Sequence, residues 1–453
     1  MIFNGSQIAA ACGGTLVQEA AAGPIYIDSR RGIPGGWYVA LAGERFDGHS
    51  FLPLVAASGC SGAIVSRPVE GWTKGLVVVE DCLKALQDLG AAARSLLTVP
   101  VIGITGSAGK TSTRVLVVEV LRPLGMVHHT QGNLNNHIGL PLTLVGCPLD
   151  ADAVVLELGM NHPGEIRLLA EVGRPNVRLI TNVGAAHVEG CGSIEGVAAA
   201  KQELFDTAQA GDILCVNLDD PRIAAMPLPA GTHVVSYGTG PRAQIRLTDV
   251  SVDRATLQTR LRLETPDGVI RAVLPVPGAH LAINAAAAAA VAFALRIPID
   301  SLPAAFARFA PEGMRNRVER LGDWLVLDDA YNANPLSMVA ALRTLAAMPG
   351  PQIAVLGDML ELGAEEEAAH VQVLDEARQL GIQHVLVSGE RMNRAGQGRA
   401  DCFADVDSLA RALAQRLRSF PAGPKSVLIK GSRGARMERV LDHLRAEAKC
   451  STT

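Results

Sequence analysis

The sequence predicts an α/β protein of three domains, and three observations carry that prediction. Its 453 residues exceed what one hydrophobic core organises, at about 150 residues per domain. Apolar residues make up 48% but aromatic ones only 4%, so small aliphatic side chains fill the interior, as suits helices packed closely on sheets. Short apolar runs also alternate with helical periodicity along most of the chain, the pattern of βαβ units.

Residues 1–95 hold strand-like runs at Trp37 to Ala42, Gly62 to Ser66 and Gly75 to Glu80, separated by glycine-rich turns and one helical stretch. They read as a small α/β domain. A helical pattern at Ala91 to Leu97 runs into Thr98-Val99-Pro100, and the apolar strand Val101 to Thr105 then opens a second domain, placed at 96–311. Within it, strands at Ala153 to Leu158, Arg178 to Val183 and Asp212 to Asn217 alternate with helices as in a doubly wound sheet. The alternating stretch Gln244 to Leu274 reads as antiparallel strands at one edge of that sheet. After Pro311 the pattern restarts, with strands at Trp324 to Asp328, Gln352 to Gly357, His384 to Ser388 and Ser426 to Lys430. This is a Rossmann-like third domain over 312–453 without a dinucleotide fingerprint.

Bulk properties exclude several classes. The net charge of −4 comes from scattered residues with no basic stripe, which argues against nucleic acid. The eight cysteines, at 12, 60, 82, 147, 191, 215, 402 and 450, form no C-x-x-C pair and read as reduced thiols. No Lys or Arg precedes Arg30, so the basic region of a signal peptide is missing, and the longest apolar run, Ala285 to Leu295, is far short of the ~18 residues that cross a bilayer. The expectation is a cytoplasmic protein without membrane insertion, and nothing demands more than a monomer.

The strand Val101 to Thr105 leads into Gly106, Ser107, Ala108, Gly109, Lys110, Thr111 and Ser112 and then an apolar helix. Glycines let backbone amides turn around phosphate oxygens, the helix N-terminus adds partial positive charge, Lys110 reaches the outer phosphates and Thr111 offers a hydroxyl to Mg²⁺. The strict G-x-x-x-x-G-K-[ST] form fails because Ile104 stands five before Gly109, and the spacing is T-G-x-x-G-K-T. A glycine turn with an accidental lysine is the plainer reading, and the flanking strand and helix argue against it. The motif predicts nucleotide binding and leaves the reaction open.

Glu157 ends the run Val154 to Leu158, where a phosphate-loop fold places a second Mg²⁺ ligand, although a strand-end glutamate is by itself more often solvated or a helix cap. Asn182 to His187 follows another strand, and Lys201-Gln202-Glu203 lies on a helix, where a surface lysine paired with Glu203 is the ordinary expectation.

In this order, T-G-x-x-G-K-T, a strand-end Glu, N-x-x-x-x-H-x-E and K-x-E resemble the Mur ligase family over nearly the whole chain. The resemblance implies a reaction in which ATP phosphorylates a carboxylate, an amine attacks the acyl phosphate, and an amide, ADP and phosphate result. It implies one Mg²⁺ at Thr111 and Glu157, a second near His187, CO₂ as a carbamate on Lys201, and Lys110 on the transferred phosphate. Such a carbamate replaces a cation by a hard oxygen donor. No residue stands out as the general base.

The resemblance also assigns Asn284 to the adenine, with a capping or core asparagine as the alternative. Family members carry a Gly-Arg pair where Gly313-Met314-Arg315-Asn316-Arg317 stands here, which leaves Arg315 or Arg317 to reach ATP. The stretch Leu327 to Pro335, including Asp328, Tyr331, Asn332 and Asn334, is similar to the D-D-x-Y-N-A-N-P signature of members that add D-alanyl-D-alanine to a UDP-N-acetylmuramoyl-tripeptide. Leu356 to Gly363 with His370, and Lys430-Gly431-Ser432-Arg433 with Met437-Glu438, resemble later motifs of the same members, and Lys430, Ser432 and Arg433 become candidate substrate contacts. Ser29 and Arg30, and Phe46, Asp47, Gly48 and His49, match segments that relatives use for the UDP-sugar. Asn133, Asn135 and Asn136 form a polar loop expected along the muramoyl-peptide path. A D-N-P-R motif of the third-residue-adding members is missing, and a folylpolyglutamate synthase would lack this type of first domain. A phosphate-loop kinase or regulator remains the reading of a different class. A hinge is expected near Pro311 to Gly313, with closure shielding an acyl phosphate from water.

Overall fold

Val101–Thr105 (β1) is buried along its whole length, as a parallel strand must be when helices cover both faces of its sheet. It lies between Ala153–Glu157 (β2) and Val177–Ile180 (β3) in a nine-stranded sheet of a computed structural model that describes residues 1–44 and 46–450, the side chains of 449 and 450 excepted. The chain leaves β1 through the helix Lys110–Leu121 (α1) to the edge strand Val127–His129, returns to β2, and then crosses to β3 on the other flank of β1. Connections thus depart to both sides of β1, and in open parallel sheets the crevice beyond the carboxyl end of such a strand is where ligands bind.

Beyond β3 follow Ile213–Asn217, His233–Gly238 and Ile245–Asp253, all parallel, and then Gln258–Thr265 and Gly268–Leu274, antiparallel as the alternating sequence predicted. One face of the sheet packs on α1 and on His280–Ala294 (α3), whose alanines bring it close to α1. The other face packs on Cys82–Ser95, Glu165–Gly173 and Ile194–Asp206 (α2).

The N-terminal part contributes a five-stranded sheet in the order Thr15–Gln18, Gly75–Val78, Gly62–Val65, Trp37–Val39, Ile25–Tyr26. Its core is continuous with that of the nine-stranded sheet, because Leu86 and Leu89 of Cys82–Ser95 belong to one buried cluster with Ile64 of the first sheet and with Leu140 and Val172 of the middle domain. The C-terminal sheet has the order Arg317–Leu321, Trp324–Asp329 (β4), Lys425–Lys430, Gln352–Gly357, His384–Ser388, Asp401–Phe403, antiparallel only at the first pair. Its two outer strands were not read from sequence, being short and charged where they edge the sheet.

The helix Pro335–Ala346 (α4) follows β4. Asn334 caps it with a reciprocal bond to Ser337, and proline fills its first position, where the missing N–H costs nothing. Both ends of α4 meet the middle sheet's domain. Asn334 Nδ2 donates to the carbonyl of Ser107 at 3.0 Å, and at the far end Arg254 Nη2, in the turn between Ile245–Asp253 and Gln258–Thr265, donates to the carbonyl of Ala346 at 3.2 Å. Leu257 of that turn packs against the C-terminal core. No helix among the described residues is long and apolar enough to cross a membrane. The seven described cysteines are all free, and the side chain of Cys450 lies outside the described residues.

Candidate active site

The phosphate loop caps the end of β1. Gly109, at φ +78°, starts α1, and a Cβ at Gly106 would lie 1.8 Å from Thr181 Oγ1, so both glycines are sterically required. The loop is clamped by the segment after β3. Thr181 Oγ1 and Asn182 Nδ2 donate to the carbonyl of Ala108 at 2.7 and 3.0 Å, and the Ala108 amide donates to Asn182 Oδ1 at 2.9 Å. Ser107 Oγ donates to the carbonyl of Gly184, and Lys110 Nζ to the carbonyl of Gly106 at 2.7 Å. Burial lowers the Lys110 pKa, with nearby Glu157 opposing the shift and Arg315 adding to it. Ser112 lies half-buried one position beyond Thr111.

Glu157, 2% exposed, is held from several sides. Its Oε2 accepts from Thr111 Oγ1 at 3.0 Å, its Oε1 from Asn135 Nδ2 at 2.9 Å, and its backbone amide donates to Thr130 Oγ1. A hydroxyl and a carboxylate at the carboxyl end of a parallel sheet, beside an ammonium, form a hard-oxygen set that fits Mg²⁺. No group of three or more His, Cys, Asp and Glu of metal-binding arrangement occurs among the described residues. Hydroxyl and lysine-derived ligands fall outside such a group.

Lys201 on α2 is 1% exposed, and burial, reinforced by Lys110, drives its pKa well below the ordinary lysine value. The surface pair with Glu203 does not form. Both Glu203 oxygens accept backbone amides, of Gly164 at 2.7 Å and Arg167 at 2.9 Å, at the start of Glu165–Gly173. His187, at φ +60°, sets its Nδ1 2.6 Å from Glu361 Oε2 of the C-terminal part, and the Glu189 amide donates to the Glu361 carbonyl.

From the C-terminal side, Arg315 lies over the Tyr331 ring, its Cζ 3.6 Å from the centroid, near enough to Lys110 and Arg114 to lower the pKa of both. Arg317 is exposed and instead borders, with Asp328, Met314 and Glu438, a cleft of about 460 Å³ beside the linker. Asp328 is buried, which raises its pKa. Lys430 is fully enclosed and pairs with Asp329 Oδ2 at 2.6 Å while donating to the carbonyl of Asn332. Asn334 engages both ends of its amide, on Ser337 and Ser107. Ser432 is buried with its Oγ unpartnered, and exposed Arg433 pairs with Glu438.

Asn284 sits on the phosphate loop itself: a Cβ on Gly109 would lie 3.0 Å from its Oδ1. Of the polar loop, Asn135 reaches Glu157, Asn136 Oδ1 accepts from the Gly139 amide at the start of Gly139–Val145 and Asn133 is exposed. Further off, Arg30 is exposed and forms a two-pronged pair with Asp28 beside Ser29, and Phe46 is 57% exposed. Asp47 binds Arg67 and His49, whose Nε2 accepts from the Ser66 amide, and a Cβ on Gly48 would strike the Leu41 backbone.

Sequence reasoning missed Arg114, although it stands four residues after Lys110 and hence on the same face of α1, and it gave no separate role to Asp329 and Glu361, which lie within the stretches Leu327 to Pro335 and Leu356 to Gly363.

The fold and this loop define a phosphate-loop nucleotide-binding protein whose C-terminal α/β unit closes on the loop. A profile described as the Mur ligase middle domain matches residues 104–292, and one described as Mur ligase, glutamate ligase domain matches 316–447. The chain belongs to the Mur ligase family. It is 38% identical to the UDP-N-acetylmuramoyl-tripeptide--D-alanyl-D-alanine ligase of Escherichia coli, over 93% of this chain and 94% of the relative, and 32% identical to that of Bacillus subtilis over 90% of each. A crystal structure of MurF from Acinetobacter baumannii superposes with a TM-score of 0.92 at 30% identity, covering 98% of this chain and 99% of the other. MurF from Thermotoga maritima, in complex with ADP, gives 0.86 at 26% identity over 95% and 98%.

Proposed function

We propose that the protein joins D-alanyl-D-alanine to UDP-N-acetylmuramoyl-tripeptide, converting ATP to ADP and phosphate, in peptidoglycan synthesis. The observation that carries the reading is the direct bond from Asn334, in the D-D-A-Y-N-A-N-P stretch, to Ser107 of the phosphate loop. It brings the segment most specific to this reaction onto the site where ATP would be opened. The names of relatives matched over nine-tenths of the chain support the same substrates.

Glycines 106 and 109 and the α1 N-terminus bind the phosphates, and Lys110 exchanges its bond to the Gly106 carbonyl for the γ-phosphate. Thr111 and Glu157 would hold Mg²⁺, with His187 and a Lys201 carbamate at a second ion; when bound, these ions offset the charge of phosphate meeting carboxylate. Lys201 suits that role because burial favours its neutral amine, the form that adds CO₂ and releases a proton to become a carbamate. Arg315, held flat by Tyr331 and close to Lys110, is the arginine that turns toward phosphate, whereas Arg317 faces the linker cleft. Closure of the C-terminal unit excludes water from the acyl phosphate until the dipeptide amine attacks. Arg30, freed from Asp28, pairs with the UDP diphosphate, and exposed Phe46 covers the uracil.

The test is phosphate release from ATP and Mg²⁺ with UDP-muramoyl-tripeptide, comparing D-alanyl-D-alanine with single amino acids. Turnover confined to the dipeptide, lost in Lys201→Ala and dependent on bicarbonate, is expected. Turnover with a single amino acid on a shorter UDP-peptide would refute the assignment.

A further inference from the structure

Arg114 is the one arginine of α1 and is completely buried, yet it touches no expected substrate group. Its guanidinium reaches into two parts of the molecule. Nη2 binds Glu312 Oε2 in the linker between the middle and C-terminal parts, Nη1 meets His129 Nδ1 at 2.8 Å, and Nε stands 3.5 Å from Glu157 Oε2 without completing a hydrogen bond. A buried guanidinium forms its strongest contacts as a charge-assisted fork on carboxylate, and two carboxylates here compete for one cation. The linker carboxylate holds a hydrogen bond from the guanidinium, and the Glu157 carboxylate stands at ion-pair distance from Nε without one.

We propose that Arg114 is a positioning residue that couples the linker to the nucleotide site. Held by Glu312, it is kept from closing a tight pair on Glu157, which leaves that carboxylate available to Mg²⁺. When the linker withdraws Glu312, Arg114 falls back on Glu157 and competes with the metal. Placement of the C-terminal unit thereby sets the affinity of a site to which the linker itself contributes no ligand. The inference rests on the proposed role of Thr111 and Glu157 and adds a control that the family comparison does not supply.

The experiment titrates Mg²⁺ into the full-length protein with a non-hydrolysable ATP analogue and reads nucleotide binding by calorimetry, with melting temperature followed in parallel. Glu312→Gln is expected to raise the Mg²⁺ half-saturation by about fivefold or more, the usual lower range for coupled sites. Glu312→Asp, which restores the charge, should return most of that shift, and in an Arg114→Met background Glu312→Gln should have no effect on it. A merely structural role would lower the melting temperature of Glu312→Gln and leave half-saturation within twofold of wild type, and that result overturns the proposal. The Glu312→Gln and Glu312→Asp pair decides the matter even if Arg114→Met does not fold. Should the wild type bind no Mg²⁺-dependent nucleotide, the reading of Thr111 and Glu157 falls first and this one with it; intact wild-type binding with no shift sinks only the coupling.

Discussion

Replacing Asn334 by serine separates two tasks that one side chain performs. Asn334 Oδ1 accepts from the Ser337 amide at 2.9 Å and caps α4, while its Nδ2 donates across the interface to Ser107. Serine caps a helix about as well as asparagine but is too short to reach Ser107, so Asn334→Ser removes only the interdomain bond. Losing a buried bond and leaving the Ser107 carbonyl unpaired costs about 1.5 kcal/mol, or roughly tenfold in kcat/KM for ATP. Asn334→Ala loses the cap as well, about 1 kcal/mol more, which should lower the C-terminal unit's melting temperature by roughly 3 °C relative to the serine variant. Steady-state phosphate release and calorimetric melting measure the two effects separately. If Asn334→Ser turns over within twofold of wild type, the contact to the phosphate loop is incidental to closure and the argument fails.

Arg315→Ala should raise KM for ATP at least tenfold, whereas Arg317→Ala should stay within about threefold; equal effects in the two variants would undo the assignment of Arg315 to phosphate. Gly106→Ala places a methyl 1.8 Å from Thr181 Oγ1, so nucleotide binding should be lost, and a calorimetric titration with ADP checks it. His280, half-buried with its Nδ1 shielded and unpartnered, has a pKa lowered to about 4 from 6.5, with burial as the main cause and Lys430 a minor one against Asp329. Between those values the unfolded chain binds the proton and the folded chain does not, so stability is full above about 6.5 and declines as pH falls toward 4. Denaturant titrations from pH 7 to 4 should show that limb flattened in His280→Gln, and an unchanged limb would assign the acid sensitivity elsewhere.

What the sequence made legible was whatever lay contiguous. β1, the loop 106–112 and α1 form one uninterrupted strand, turn and helix, so their arrangement follows from local chemistry. The strand-end position of Glu157 was equally local. Lys201 shows the limit: its spacing suggested a surface pair with Glu203, and only the packed fold reveals that it is enclosed while Glu203 caps another helix. Arg114 and Glu312 stand 198 residues apart, and His187 and Glu361 stand 174 apart, so neither pairing had any expression in periodicity or turn chemistry. Nor did spacing separate Arg315 from Arg317, because the choice depends on which face of the linker meets Tyr331.

A body touched at one point is free to pivot, whereas one touched at both ends of a rigid rod has its bearing fixed. α4 is such a rod, 12 residues or about 18 Å long, seated on Ser107 at one end and on Arg254 at the other. The turn carrying Arg254 and Leu257 therefore acts as a gauge of angle, although it lies at the opposite end of the rod from the phosphate loop. Its reach is set by the length of two antiparallel strands, and adding one residue to each would displace the tip by about 3.4 Å. A hairpin that looks like ornament on the edge of a sheet thus gives α4 a second seat, at the end opposite the one that Asn334 takes on the phosphate loop.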